Sequence, residues 1–122
     1  KRKLAVRRCA TLADATLFTT SPRLMKAPDR AQFERVEAGV RLSRYGGDCY
    51  AYCMLAAGHL DLIIETELKS YDVAALIPIV TGAGGIITTW DGKPAHSGGR
   101  IVAAGDKRIH NAALELLNSQ SA

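Results

Sequence analysis

Residues 58–65 read GHLDLIIE, and residues 71–85 read YDVAALIPIVTGAGG. The first segment contains a run of leucine and isoleucine that predicts a buried strand over residues 60–65. In the second, Asp72 opens an apolar stretch that predicts a buried helix over residues 73–83 despite Pro78, and glycines follow it. Because strands that alternate with helices are typical of α/β proteins, these two segments indicate the fold class.

The same alternation extends toward both ends of the chain. Apolar and β-branched residues predict further strands over residues 15–19, 40–45, 85–90 and 101–104. Helices are predicted over residues 30–39, over residues 48–57 and after residue 106, with Asp29, Asp48 and Asp106 as their N-caps. The pattern predicts one layered α/β domain over residues 1–122, with a largely parallel or mixed sheet.

Composition excludes several classes of protein. Hydrophobic residues make up 48% of the 122 residues and charged residues 23%, which is a globular balance. No apolar run approaches the roughly 18–20 residues that span a bilayer, so we expect a cytoplasmic protein without a membrane partner. Cys9, Cys49 and Cys53 are too few for a disulfide framework and lack the spacing of a zinc site, so we expect buried thiols.

The net charge of +4 is unevenly distributed along the chain. Residues 1–44 contain 11 Lys and Arg against 4 Asp and Glu, whereas residues 45–122 contain 5 against 8. A basic half of this kind attracts nucleic acid or an anionic substrate, or it forms a solvated face or one side of an interface. No aromatic residues interleave the basic ones as a nucleic-acid groove requires, so we expect no nucleic-acid partner.

The candidate site lies where strands end and helices begin. In open α/β sheets, ligands bind beyond the carboxyl ends of the strands, near the unpaired N–H groups of helix N-termini. Three places fit this rule, namely residues 20–21, 46–48 and 71–72. Taken singly, Asp48, Glu65 and Asp72 are read as helix caps or surface charges. Together they are three acids at one predicted edge of the sheet, which suits Mg²⁺ or a cationic ligand group.

These residues also carry a family resemblance. The order Gly58, Asp61, Glu65, Tyr71-Asp72 and then Ala83-Gly84-Gly85 resembles the carboxy-terminal signature of the inositol monophosphatase family, G-x-x-D…E…W-D-x-A-G…A-G-G. Tyr71 replaces the commoner Trp and Ala75 the commoner Gly. Within the family, residues 46–52 and 71–76 look most like the histidinol-phosphatase branch. The resemblance implies the carboxy-terminal domain of that fold, a three-layer α/β/α arrangement with a mixed sheet of about five strands.

The activity that the resemblance implies is Mg²⁺-dependent hydrolysis of a small phosphomonoester. By resemblance, Asp72 is a metal ligand, and the substrate-binding residues are Asp48, Glu65, Gly47, Cys49 and Arg44. Family members for inositol phosphates tend to have a small hydroxyl residue where this chain has Asp48. A second carboxylate there favours a cationic leaving group such as histidinol, which implies a place in histidine biosynthesis.

The rest of the family's metal site is expected outside this chain. The remaining ligands of the family belong to an amino-terminal domain with a D-P-x-D-G-T motif, and the present sequence contains no Asp-Pro dipeptide. We therefore expect residues 1–122 to be the carboxy-terminal half of a larger phosphatase, inactive alone and homodimeric when complete. The alternatives are an inositol-1-phosphatase, a nucleotide 3′-phosphatase, or a binding module without catalytic activity.

Overall fold

The computed structural model describes residues 4–46 and 48–119 as a mixed five-stranded sheet with helices on both faces. The strands are β1 (Thr16–Thr19), β2 (Leu42–Tyr45), β3 (Leu62–Leu68), β4 (Ile86–Thr89) and β5 (Gly99–Ala104). The α-helices are α1 (Ala27–Glu37), α2 (Asp48–Ala56), α3 (Ser70–Gly82) and α4 (Lys107–Asn118). Single 3₁₀ turns occupy Leu12–Asp14, Pro22–Leu24 and Ala95–Ser97. The predicted fold class is confirmed.

Strand order explains where the site forms. The sheet runs β2-β1-β3-β5-β4, in which β1 pairs in parallel with β2 and β3, while β5 is antiparallel to β3 and β4. The carboxyl ends of β2, β1 and β3 therefore meet at one edge of the sheet. Because β2 leads into α2 and β3 leads into α3, two helix N-termini also reach that edge.

Because side chains along a strand point alternately to the two faces of the sheet, a hydrophobic core forms on each face. Leu62 and Ile64 of β3 belong to the cluster that α1 and α4 cover, whereas Ile63 between them belongs to the cluster that α2 and α3 cover. This period of two is what a strand with both faces buried requires. The molecule is consequently a three-layer α/β/α structure, as the resemblance implies.

Of the three predicted N-caps, only Asp106 is confirmed, since α1 begins before Asp29 and α2 begins at Asp48 itself; the predicted start of α3 also differs. Helix α1 begins at Ala27, with Lys26 at the N-cap and Pro28 in its first turn, so Asp29 lies inside the helix. Helix α3 begins at Ser70 with Lys69 at the N-cap, which places Asp72 in the first turn and not at the cap. Asp106 is an N-cap as predicted, because its carboxylate accepts a hydrogen bond from the Arg108 N–H.

The Asp106 carboxylate also joins the N-terminal segment to α4. It accepts hydrogen bonds from the Cys9 N–H at 2.9 Å and from the Arg108 guanidinium at 2.8 Å. The Arg108 bond, together with the two backbone N–H groups, lowers the pKa of Asp106 far below its ordinary value. Asp106 thus stabilises the fold as an anion.

Asp106→Ala is expected to lower the free energy of unfolding by about 1–2 kcal/mol at pH 7, as for other lost N-caps. The folded-state pKa of Asp106 is depressed, so its contribution is complete above the unfolded-state pKa of about 4. That contribution is lost as the pH falls through the lower folded-state pKa. Urea unfolding of both proteins at pH 7 and pH 3 should show a smaller difference at pH 3, and a constant difference would contradict this origin.

Two of the three cysteine side chains are exposed, which the sequence did not predict. Cys9 is buried as expected, but Cys49 and Cys53 are exposed on α2, so the prediction of three buried thiols is wrong for these two. Helix α2 is apolar around its whole circumference, and only one of its sides contacts the sheet. Within the described residues, no helix is long and apolar enough to cross a membrane.

Candidate active site

The carboxyl ends of the parallel strands are held together by backbone hydrogen bonds. The N–H of Gly46, which follows β2, donates to the carbonyls of Thr19 and Thr20 at 3.1 and 2.9 Å. Gly46 has a φ of 89°, a left-handed conformation that glycine adopts without strain. The turn from β2 into α2 is therefore tied directly to the end of β1.

Glu65 is the buried acid of this edge. Its side chain on β3 is only 5% exposed, and one carboxylate oxygen, Oε2, accepts from the Thr20 N–H at 3.1 Å and from the Thr19 hydroxyl at 3.4 Å. The other oxygen, Oε1, accepts from the Thr20 hydroxyl at 3.0 Å. These donors satisfy the carboxylate and fix its position between β1 and β3.

A β-bulge follows Glu65 on the same strand. The pairing of β3 with β5 changes register between Glu65 and Leu68, and Glu67 has a positive φ of 57°. A bulge of this kind bends the strand and redirects its side chains, and such bulges are common beside functional sites. Here it lets Glu65 and Leu68 line the same pocket.

A pocket of about 210 Å³ opens at this edge between α2, α3 and β3. Its walls combine two apolar side chains with oxygen- and sulfur-bearing ones: Thr20, Cys49, Tyr52, Glu65, Leu68, Asp72 and Leu76. A second pocket of about 220 Å³ shares Thr20, Glu65 and Leu68 with it and continues toward Met25. Small pockets with a few convergent polar groups are the usual form of a small-molecule site.

Asp72 contributes a second carboxylate to this pocket. It lies in the first turn of α3, where the helix dipole favours negative charge. Its backbone N–H donates to the Lys69 carbonyl at 3.0 Å, but its side chain has no hydrogen bond or ion pair with any residue that the structure describes. A half-buried carboxylate in this position is available to a ligand.

Of the other candidate residues, one more reaches the same pocket. Cys49 lines it from the first turn of α2. Asp48 is the first residue of α2, immediately before Cys49, and the structure does not describe its side chain. Gly47 lies outside the described residues. Arg44 stands on β2 opposite Phe18 and lines a different, wider groove.

Part of the positive charge of residues 1–44 lies along this wide groove. It measures about 880 Å³, lies beside the edge strand β2, and its cationic lining residues are Arg7, Arg41 and Arg44. Arg7 forms an ion pair with the buried Asp61, in which its Nε and Nη2 donate to the two carboxylate oxygens at 2.8 Å each. Asp61 also accepts from the Thr16 N–H at 2.8 Å, so this signature residue joins the chain start to β1.

Sequence reasoning missed Tyr52, Leu68 and Leu76 as lining residues of the pocket. Tyr52 follows Cys49 by three residues, so a helix over residues 48–57 already places the two on one side. The three-residue spacing of Cys49 and Tyr52 is therefore visible in the sequence. The side of α2 that faces the pocket cannot be predicted from the sequence, because residues 48–56 show almost no amphipathic pattern.

The donors in the pocket suit a hard cation. Asp72, Glu65 and Thr20 offer oxygen atoms, the ligand type that Mg²⁺ prefers. Within residues 4–46 and 48–119, however, no group of three or more His, Cys, Asp or Glu side chains could hold a metal ion. The residues fit Mg²⁺ as part of a ligand set, with Asp72 the member whose carboxylate has no competing partner in the part of the chain that the structure describes.

Fold and pocket together define an α/β domain with an acid-lined pocket at the carboxyl ends of parallel strands. Residues 1–122 match the inositol monophosphatase family throughout, and the chain belongs to that family. It is 46% identical to a chloroplastic bifunctional phosphatase, IMPL2, of Arabidopsis thaliana over 93% of this chain and 36% of that protein. It is 38% identical to a histidinol-phosphatase of Streptomyces coelicolor, over 97% and 44% respectively.

Solved structures of the family share the fold. An inositol monophosphatase from Zymomonas mobilis superposes with a TM-score of 0.91 and 41% identity, over 95% of this chain and 47% of that one. The chain thus spans about a third to a half of the length of these relatives. The predicted family resemblance is confirmed.

Proposed function

We propose that this chain is the carboxy-terminal half of a Mg²⁺-dependent phosphomonoesterase whose substrate is histidinol phosphate. The observation that carries the proposal is the pocket that buried Glu65 and Asp72 line together, in which the Asp72 carboxylate has no partner among the residues described. Support for the substrate comes from the histidinol-phosphatases among the relatives.

The proposed roles follow from the environment of each acid. Asp72 is the metal ligand, because its carboxylate has no partner among the described residues and lies in the first turn of a helix. When bound, Mg²⁺ would polarise the phosphoryl group and activate a water molecule. Glu65, held rigidly by Thr19 and Thr20, orients the leaving group. Asp48, which directly precedes Cys49 in the sequence, is proposed as the second acid that binds the substrate.

A leaving group with protonated nitrogen atoms matches this charge. Histidinol carries an amine and an imidazole, and two carboxylates near a desolvated cation give hydrogen bonds of about 1.5–3 kcal/mol each. Inositol is neutral, so it would gain less binding free energy from the two carboxylates. Hydrolysis of inositol 1-phosphate is the second candidate, because an inositol monophosphatase is 41% identical to this chain. A nucleotide 3′-phosphatase and a binding module without catalytic activity are the weaker alternatives.

Phosphate release by the full-length protein tests the proposal. With Mg²⁺ present, histidinol phosphate should give a higher kcat/KM than inositol 1-phosphate, a nucleoside 3′-phosphate or p-nitrophenyl phosphate. The 122-residue chain should release no phosphate, because Mg²⁺ needs ligands beyond Asp72. A preference for inositol 1-phosphate would contradict histidinol phosphate as the substrate. Mg²⁺-dependent activity of the 122-residue chain would contradict the proposal that the metal site is shared between two halves of the enzyme.

We further propose that the missing amino-terminal half covers the outer side of α2 and α3. The described exposed side chains of this α2/α3 face are mainly small, apolar or aromatic, namely Cys49, Tyr50, Cys53, Tyr71, Ala74, Ala75 and Pro78, with Ser70 and Thr81 near the two ends of α3. Tyr50 and Tyr71 are 70% and 71% exposed, and beyond the acids of the first turns neither helix has a charged residue. Exposed apolar surfaces of this kind typically mark an interface.

The 122-residue chain should therefore associate with itself more strongly than the full-length protein does. Replacing both Tyr50 and Tyr71 by Ser should weaken that association by tenfold or more in analytical ultracentrifugation, since buried apolar area contributes about 25 cal/mol per Å². Tyr45→Ser is the control, because Tyr45 is exposed on β2 and lies off this face. A monomer at high concentration would contradict the proposed interface. The homodimer and the cytoplasmic location remain predictions.

A further inference from the structure

The hydroxyl of Tyr52, in the same pocket, has no hydrogen-bond partner in the described part of the chain. Tyr52 is only 1% exposed, and its hydroxyl is fully buried without a hydrogen bond to any described residue. The other large buried aromatic residue with a polar atom is satisfied, since the Trp90 indole N–H donates to the Ile101 carbonyl at 3.3 Å. Because a buried hydroxyl without a partner destabilises a protein, natural structures rarely keep one for packing alone.

The position of Tyr52 points to a ligand as the missing partner. Tyr52 lines the same pocket as Glu65, Cys49 and Asp72. The apolar cluster around its ring contains Leu55 and Leu76, so the ring is held in place without help from the hydroxyl. Burial first, and then the nearby charges of Glu65 and Cys49, raise the pKa of Tyr52 well above its ordinary value, which keeps the hydroxyl protonated at neutral pH.

We propose that Tyr52 determines specificity for the leaving group, by forming a hydrogen bond between its hydroxyl and the alcohol part of the bound phosphomonoester. A phenol hydroxyl donates one hydrogen bond and accepts others, so its oxygen can accept from a substrate N–H. The same O–H can then donate toward Glu65, which makes the oxygen a better acceptor. This inference rests on the proposed function and adds a residue to it.

The test is Tyr52→Phe in the full-length enzyme with Mg²⁺. The change removes one oxygen and keeps the ring. KM for histidinol phosphate should rise about tenfold while kcat stays within twofold, because the lost contact binds a charged group. KM for p-nitrophenyl phosphate should change less than twofold. The melting temperature of the ligand-free enzyme should be equal or higher, since Phe removes an unsatisfied group.

Tyr45→Phe is the matched control, as the same substitution at a residue that lies off the proposed interface. Tyr45 is exposed on β2 and lines neither of the two pockets that contain Glu65, so both substrates should be unaffected. An unchanged KM for histidinol phosphate in Tyr52→Phe would overturn the inference. A lower melting temperature with equal losses on both substrates would also overturn it, because the hydroxyl would then be structural.

Failure of the proposed function gives a different result. If the wild-type enzyme prefers another phosphomonoester, histidinol phosphate is wrong as the substrate, whatever Tyr52 does. The Tyr52→Phe comparison is then made between that preferred ester and p-nitrophenyl phosphate. A selective rise in KM for the preferred ester supports the role of Tyr52, and equal KM values in variant and wild type overturn it.

Discussion

Asp72→Asn in the full-length enzyme is expected to lower kcat by more than about a hundredfold at saturating Mg²⁺. Changes to groups that only support metal ligands typically cost 10- to 100-fold, and loss of a ligand charge should cost more. The amide keeps the shape of the side chain, and the Asp72 carboxylate makes no hydrogen bond or ion pair with any described residue. The melting temperature should therefore change little, and the concentration of Mg²⁺ for half-maximal activity should rise.

Asp91→Asn is the control for the loss of one negative charge. Asp91 is exposed in the turn after β4 and lines none of the pockets at the carboxyl edge. Its variant should match the wild-type enzyme in kcat and in Mg²⁺ dependence. If Asp72→Asn also stayed within a few-fold of the wild type, Asp72 would serve only the dipole of α3 and the proposed metal role would be wrong.

The strands were predictable because their signal is local. Leucine, isoleucine and β-branched residues cluster in β1, β3, β4 and β5, whereas the exposed edge strand β2 is indicated by its alternation of apolar and polar residues. The edge that gathers the acids also followed from chain order, since parallel strands that lead into helices end on one side. This is why Glu65 and Asp72 could be placed together before their contacts were known.

The start of a helix was harder to predict than its existence. Asp29 and Asp72 both precede apolar positions, as N-caps do, but the helices begin two residues before each of them, at Ala27 and Ser70. Pro28 was the better signal for α1, because proline is favoured in the first turn. At α3, no side chain caps the helix at Lys69, so the sequence contains no cap to recognise.

Which side of α2 faces the pocket depends on tertiary packing. Tyr50 and Tyr52 are chemically identical and two residues apart, yet one is 70% exposed and the other 1%. Residues 48–56 are apolar on all sides, so no periodicity separates a core side from an outer side. For the same reason, the sequence does not predict which pocket Arg44 lines. Alternation along β2 predicts the face of the sheet on which Arg44 lies, but it does not predict which helix covers that face.

Glu65→Gln is expected to lower kcat/KM for histidinol phosphate by about ten- to a hundredfold in the full-length enzyme. The substitution removes the buried negative charge that is proposed to bind a protonated nitrogen of the leaving group. The fold should tolerate it, because the amide oxygen can still accept from the Thr20 N–H and the amide nitrogen can donate to the Thr20 hydroxyl. Steady-state kinetics with histidinol phosphate and p-nitrophenyl phosphate measure the effect.

The neutral aryl phosphate separates a charge effect from a structural one. Its leaving group cannot use a carboxylate, so Glu65→Gln should change its kcat/KM by less than about threefold. Glu67→Gln is the matched control, because Glu67 is exposed two residues further along β3 and should leave both substrates unaffected. Equal losses on both substrates in Glu65→Gln would mean that Glu65 only holds β1 to β3 through Thr19 and Thr20. A selective loss on histidinol phosphate would instead assign Glu65 to the leaving group, since only that substrate presents a cation to the pocket.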